Sequence, residues 1–318
     1  MRLIRCFSHV RQGFITHTQI LKALSIFLIS LSFYAHQADA YQLELEIFES
    51  KGGKISSVEN NFGCMEHCKI QTFSKRIISL LALADDGYRF DGWEGACDNS
   101  LGPLCTLKLN ENGKVSAKFV KSEQATPPVQ AILLLHDINE KHTVWNEFVK
   151  QRFNNRCPVV YGGFVLDKDS FDTSNRTACY RIAFGYYGLI RDSLVDKDYL
   201  ANSRPHYSKT HLGFEIRAAV LGLLNRHPNL NLTLIGNGHA AIPALSYLQT
   251  TTEDRKNING LLSLSSEGRI TDKNIFSAMR ADSEFKEFPL VRIAAHPAQS
   301  RKINAALDTL VNAKWPLN

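Results

Sequence analysis

Residues 232–249 read LTLIGNGHAAIPALSYLQ. Leu232, Leu234 and Ile235 make an apolar run, Gly236 and Gly238 punctuate a turn, and Ala244, Leu245, Tyr247 and Leu248 follow in a helical pattern. The stretch predicts a strand, a tight turn and a helix in direct succession. Gly236, Asn237, Gly238, His239 and Ala240 form the turn itself. Glycine at its centre suits a backbone with positive φ, which other residues adopt only under strain.

Working outward, residues 129–318 alternate apolar strands with helical patterns. VQAILLL at 129–135 predicts a first strand, followed by His136-Asp137 and a helix over 143–153 carrying Val144, Trp145, Phe148 and Val149. Further strands are expected at 158–166, 180–184, 258–264 and 289–295. Helices are expected at 213–226 and 299–311, the first with Ile216, Ala219, Val220, Leu223 and Leu224 at helical spacing. Such alternation favours an α/β domain with a mostly parallel sheet.

Residues 41–121 read differently. Leu43, Leu45 and Ile47 alternate with Gln42, Glu44 and Glu46, the period of a half-buried strand. Runs at 77–83, 104–109 and 115–120 predict three more strands, with turns at Gly52-Gly53, Asp86-Gly87 and Asn112-Gly113. This is a small all-β module. The polar, double-proline stretch 122–128 reads as a short, stiff linker to the second domain, 129–318.

The first 40 residues have the organisation of a secretory signal. Arg2, Arg5, Arg11 and Lys22 precede a short apolar run over 23–35, and Ala38-Asp39-Ala40 gives a small-x-small cleavage pattern. The run is shorter than the ~20 residues a spanning helix needs. Cleavage after Ala40 and a secreted or periplasmic location are expected, with no later membrane span. Processing would remove four of the 37 basic and one of the 31 acidic residues, leaving a net charge near +3. That is too weak a bias to favour nucleic acid.

Six cysteines would remain: Cys64, Cys68, Cys97, Cys105, Cys157 and Cys179. An even number in an exported chain favours three disulfides. Cys64-x3-Cys68 and Cys97-x7-Cys105 lack the paired C-x2-C spacing of a zinc ribbon, so no metal is expected, and no motif calls for a cofactor. Cys157 and Cys179 each precede an expected strand, and a bridge between them would tie the two strand starts together.

Two resemblances extend this reading. Phe62-Gly63-Cys64-x3-Cys68, then Gly87-Tyr88-Arg89-Phe90-Asp91-Gly92-Trp93-Glu94-Gly95-Ala96-Cys97, Cys105, and Val115-Ser116-Ala117-Lys118-Phe119 resemble the divergent internalin-B-type repeat of bacterial surface and secreted proteins. The resemblance covers nearly all of 41–121 and implies a β-grasp-like accessory module with bridges Cys64–Cys68 and Cys97–Cys105. Trp93 is expected in the module's own core rather than as a sugar-stacking platform, and His67 in a solvent-facing loop.

The order of elements over about 129–300 resembles the α/β-hydrolase fold in its small lipase and esterase branch. Leu133-Leu134-Leu135-His136 followed by Trp145 is similar to that family's strand, oxyanion loop and first helix. His227-Pro228-Asn229 before the glycine-turn strand, Ile235-Gly236 at its end, and the run Gly260-Leu261-Leu262-Ser263-Leu264-Ser265-Ser266 also match. The resemblance implies a three-layer domain with residues 236–240 as the nucleophile elbow, G-x-S-x-G.

Each catalytic position departs from the family. Gly238 stands where the serine belongs, and a one-residue shift puts Ala240 there. Asp137 replaces the oxyanion-loop glycine and would oppose a developing negative charge, although it suits a cation or a cap. The strand at 289–295 runs into His296-Pro297 where the acid belongs; Asp282 and Glu284 precede it, and Asp308 lies on the last helix. No histidine follows His296. His239, His136 and Asp137 are placed by the resemblance where they could meet, while His136 is expected to be a structural remnant. Ser265 and Ser266, beside Glu267, read as polar surface, and Asn237 as a residue that satisfies the turn's backbone.

The expectation is a secreted, multidomain pseudo-hydrolase that binds a lipid, an ester-like small molecule or another protein. Two alternatives stand beside it. One is an active ester hydrolase with a non-standard site built on His239, His136 or a water near Asp137. The other is a cell-surface interaction or adhesion protein working through the β module.

Overall fold

The structure is a computed structural model and describes residues 40–57, 62–73, 77–122, 129–137, 140–166, 177–184, 209–251, 253–265 and 288–312. The residues before Ala40, where a secretory signal is expected, most of the expected linker, and Ser266, Glu267, Asp282 and Glu284 lie outside these residues.

The N-terminal part is all-β. Its strands are β1 (Ala40–Ile47), β2 (Gly53–Ser57), β3 (Phe62–Cys64), β4 (His67–Phe73), β5 (Ile77–Ala84), β6 (Tyr88–Gly95), β7 (Leu104–Lys108) and β8 (Gly113–Lys121). They form two four-stranded sheets, ordered β4-β1-β8-β6 and β3-β2-β5-β7. Leu43, Leu45 and Ile47 of β1 bury with Ile55, Leu80 and Ala82 from the other sheet in one core. The alternation in the sequence thus becomes the inner and outer face of a sheet. β1 runs parallel to β8, and β8 antiparallel to β6.

Disulfides join Cys64 to Cys68, Cys97 to Cys105 and Cys157 to Cys179. Such bonds fit a protein exposed to an oxidising compartment, and the first two reinforce a β module too small to have a thick core. Trp93 is 6% exposed, and its indole N–H donates to the Gly102 carbonyl at 3.0 Å, which makes it a core residue.

Four strands of this part, β2, β3, β4 and β6, go beyond the sequence expectation. β6 shows why: Gly92 and the charged Asp91 and Glu94 interrupt its apolar pattern, and pairing with β8 makes it a strand. His67 is also corrected. It belongs to β4, not a loop, and its Nε2 lies 2.8 Å from Glu44 Oε1.

The C-terminal part is α/β. Its strands are β9 (Val129–Leu135), β10 (Val159–Tyr161), β11 (Phe164–Val165), β12 (Thr177–Ile182), β13 (Leu230–Asn237), β14 (Ile258–Ser265) and β15 (Leu290–Ala294). They form one sheet ordered β11-β10-β12-β9-β13-β14-β15. All neighbours are parallel except the β10–β11 pair, where Gly162 and Gly163 turn the expected single strand 158–166 into a hairpin. Helices α1 (Asn146–Phe153) and α4 (Ser300–Asn312) cover one face, over Ile132 and Leu134. Helices α2 (Lys209–Arg226) and α3 (Ala241–Thr250) cover the other, over Leu133 and Leu135. Strands buried on both faces read as near-continuous apolar runs, as VQAILLL does from Ala131 onward.

From β9 the chain passes to β10, returns to β12 beside β9, then crosses to β13 on the other side of β9. The carboxyl ends of β9 and β13 therefore flank a reversal in strand order, where open α/β sheets place their ligand crevices.

The two parts pack together, and Tyr41–Asn318 forms one compact unit. Phe214, Ala218 and Leu221 of α2 meet Leu81, Leu83 and Leu104 of the β part. The Phe90 N–H donates to Asn225 Oδ1 at 3.2 Å, and Lys256 Nζ lies 3.2 Å from Asp86. Within the α/β part, Gly222 lets α2 pack closely on the β10–β11 turn, because a Cβ there would collide with the Gly163 carbonyl oxygen.

Candidate functional site

β13 ends at Asn237, and the next three residues form a single 3-10 turn, Gly238–Ala240, that runs into α3. Gly238 has φ +54°, the left-handed region where a Cβ costs energy. Gly236 is needed for close approach: a Cβ there would lie 2.9 Å from Ala241 N. Ala240 is fully buried under the helix.

The space above Gly238 is filled by Asp137, from the end of β9. A Cβ on Gly238 would run into Asp137 Oδ2. The same oxygen accepts a hydrogen bond from the His239 backbone N–H at 3.3 Å, and His239 Nδ1 lies 3.3 Å from both carboxylate oxygens. The Asp137 side chain is 15% exposed and the His239 side chain 30% exposed. The acid is thus the sheltered member of the pair and the imidazole the accessible one.

His136 faces a different way. Its Nδ1 donates to the Asp137 carbonyl oxygen at 2.8 Å, and its Nε2 accepts from the Phe184 N–H at 3.2 Å. Accepting at Nε2 requires the neutral ring. His136 therefore fastens the end of β9 to the backbone beyond β12. Asn237 differs from expectation: its side-chain N–H donates to Glu140 Oε2 at 2.6 Å rather than to the turn's backbone. Asp137 and Glu140 together tie the segment after β9 to the glycine turn. Nothing in the sequence singled out Glu140.

The remaining candidates do not join this site. His296 is exposed beyond β15, two strands from β13, and its Nδ1 accepts from the Ala298 N–H at 3.2 Å in the turn before α4. Asp308 sits on α4 near Arg152, 3.6 Å away. Ser265 is the last residue of β14 rather than a loop residue. Among the described residues, no three His, Cys, Asp or Glu side chains converge to hold a metal, and no helix is long and apolar enough to cross a membrane.

Sequence reasoning also missed a buried polar network. Asp254 Oδ2 accepts from Arg217 Nε at 3.0 Å and from the Tyr247 hydroxyl at 3.2 Å. Burial raises the Asp254 carboxyl above its ordinary value, with Arg217 opposing. Burial, then the nearby Asp254 charge, pushes the Tyr247 phenol well up. The network holds α2, α3 and the turn before β14 together, away from the carboxyl ends of β9 and β13.

No protein-family model matches the chain, and no curated protein is similar to it. Among solved structures, it is similar to the product of the gene lin2722 of Listeria innocua, with 10% identity and a TM-score of 0.32. The match covers 54% of this chain, which spans 62% of that chain's length. A likeness this distant bears on neither fold assignment nor activity.

Proposed function

We propose that residues 129–318 are an α/β-hydrolase-like domain of the lipase and esterase type that has given up acyl-enzyme chemistry and acts by binding. The carrying observation is the Asp137 carboxylate. It lies where a nucleophile's side chain would project from position 238, and it accepts from the His239 N–H. In that family the N–H of the residue after the nucleophile helps bind the oxyanion. A site with no nucleophile and an anion on an oxyanion donor cannot stabilise a tetrahedral intermediate. The positive φ at Gly238 and the location at the strand-order reversal support the elbow reading.

The ligand is a lipid or ester-like small molecule, or a protein. Residues 41–121 form the internalin-B-type, β-grasp-like accessory module, whose first and last strands pair in parallel. The chain is exported, with cleavage after Ala40. Burial of Trp93 weighs against a glycan-stacking role for the module.

The test uses oxidised protein, residues 41–318, with a fluorophosphonate probe and the p-nitrophenyl esters of acetate and octanoate. The expected result is no covalent labelling and no ester turnover, with the octanoate ester raising Tm as a bound ligand. Labelling or turnover of either ester overturns the loss of catalysis. No Tm response to the octanoate ester counts against an acyl ligand and favours a protein partner.

A further inference from the structure

We infer that Asp137 and His239 form a general base without a nucleophile, able to take a proton from an activated C–H of a ligand held at this site. This goes beyond ligand holding and assigns a reaction class to the pair. Three features of the pair carry it.

The first is orientation. Both Asp137 oxygens lie 3.3 Å from His239 Nδ1, so the carboxylate can accept the Nδ1 proton and leave the Nε2 lone pair pointing away. This is the division of labour in which an acid fixes the tautomer and stabilises the imidazolium that forms. The second is access. The imidazole is 30% exposed, and His239 Nε2 has no hydrogen-bond partner among the described residues. The third is anchorage. The Asp137 carboxylate is fixed by the His239 N–H as well as by the ring, and the end of β9 is fastened by His136. Hydrogen bonds of this length between catalytic groups can tighten when substrate binds.

The same geometry offers no acyl-enzyme route. The His239 N–H is already engaged by a carboxylate, and Gly238 offers no attacking atom. Proton abstraction needs neither a nucleophile nor an acyl-enzyme. The substrate class is therefore a neutral carbon acid, with the C–H beside a carbonyl or in an electron-poor heterocycle. In the step, Nε2 takes the proton and the C–H electron pair passes into the substrate's π system. The imidazolium is held by Asp137 and then returns the proton to water. His239 is the catalytic residue and Asp137 a positioning residue.

The probe is 5-nitrobenzisoxazole. Loss of its C–H proton drives cleavage of the ring N–O bond and yields a coloured cyanophenolate, with no oxidant or reductant. A positioned general base contributes about 100-fold or more. Oxidised 41–318 is expected to open the probe faster than an equal concentration of free imidazole. His239→Ala, with Tm retained, should lose that advantage and regain part of it when imidazole is added. His239→Gln serves if the alanine variant unfolds. Asp137→Asn, which keeps the side chain's shape, should lower kcat about 10-fold or more with KM little changed.

A wild type no faster than free imidazole, or a His239 variant as fast as wild type, overturns the inference. An unchanged kcat in Asp137→Asn overturns the positioning role. Ester turnover or fluorophosphonate labelling bears only on the proposed loss of acyl chemistry, so the two readings fail separately.

Discussion

Gly238→Ala tests the geometry at its tightest point. At φ +54° an alanine costs roughly 1–2 kcal/mol relative to glycine. Its Cβ also meets Asp137 Oδ2, and such overpacking adds about 1–3 kcal/mol. The single variant is expected to lose about 2–5 kcal/mol. Asp137→Ala alone removes charge-assisted hydrogen bonds to His239 and should cost about 1–3 kcal/mol. In the double variant the collision is gone and only the backbone cost at 238 remains beside the lost bonds. The two changes should then fall short of additivity by the relieved collision, about 1–3 kcal/mol, well beyond the ~0.5 kcal/mol scatter of independent sites. Urea unfolding of the oxidised protein, followed by the fluorescence of buried Trp93 and Trp145, measures all four corners of the cycle. Strict additivity would show that Asp137 does not occupy the space above Gly238.

Two further predictions concern the rest of the unit. Gly222→Ala would gain about 1 kcal/mol from helix propensity alone, but its Cβ meets the rigid Gly163 backbone, so a net loss of about 1–3 kcal/mol is expected in the same urea assay; a gain would mean that α2 does not pack closely on the β10–β11 turn. Asp254→Asn tests the buried network through pH: the folded carboxyl binds its proton more tightly than the unfolded one, so its contribution is full below about pH 4 and is lost as pH rises through the folded value. Wild-type stability minus that of the variant should accordingly fall as pH rises above about 4, and a difference that grows with pH there would contradict the raised value.

The α/β part was legible wherever burial leaves a periodic trace. VQAILLL lies between two helical layers and is apolar apart from Gln130, and it forms β9 over the predicted residues. The 18-residue α2 was expected four residues shorter, because Lys209, Thr210 and His211 are polar and break the apolar pattern before Leu212. The strand placed at 180–184 starts earlier, at Thr177, where pairing with β9 extends it over residues with no apolar pattern of their own. In the β part, β3 and β6 were invisible for the same reason: sheet pairing, not side-chain pattern, makes them strands.

The sequence by itself determined the layered alternation of strands and helices, the glycine turn that lacks a serine, and the cysteines available for pairing. These are local properties, because periodicity, φ preference and residue chemistry act within a few neighbours. Only the tertiary structure decided which residues meet at the carboxyl ends of β9 and β13. It put Asp137 against a residue 102 positions later, gave Asn237 to Glu140, and turned His136 toward Phe184. Those contacts follow from a strand order that sets β9 beside β13, an order chosen by the packing of the whole sheet rather than by any segment of it.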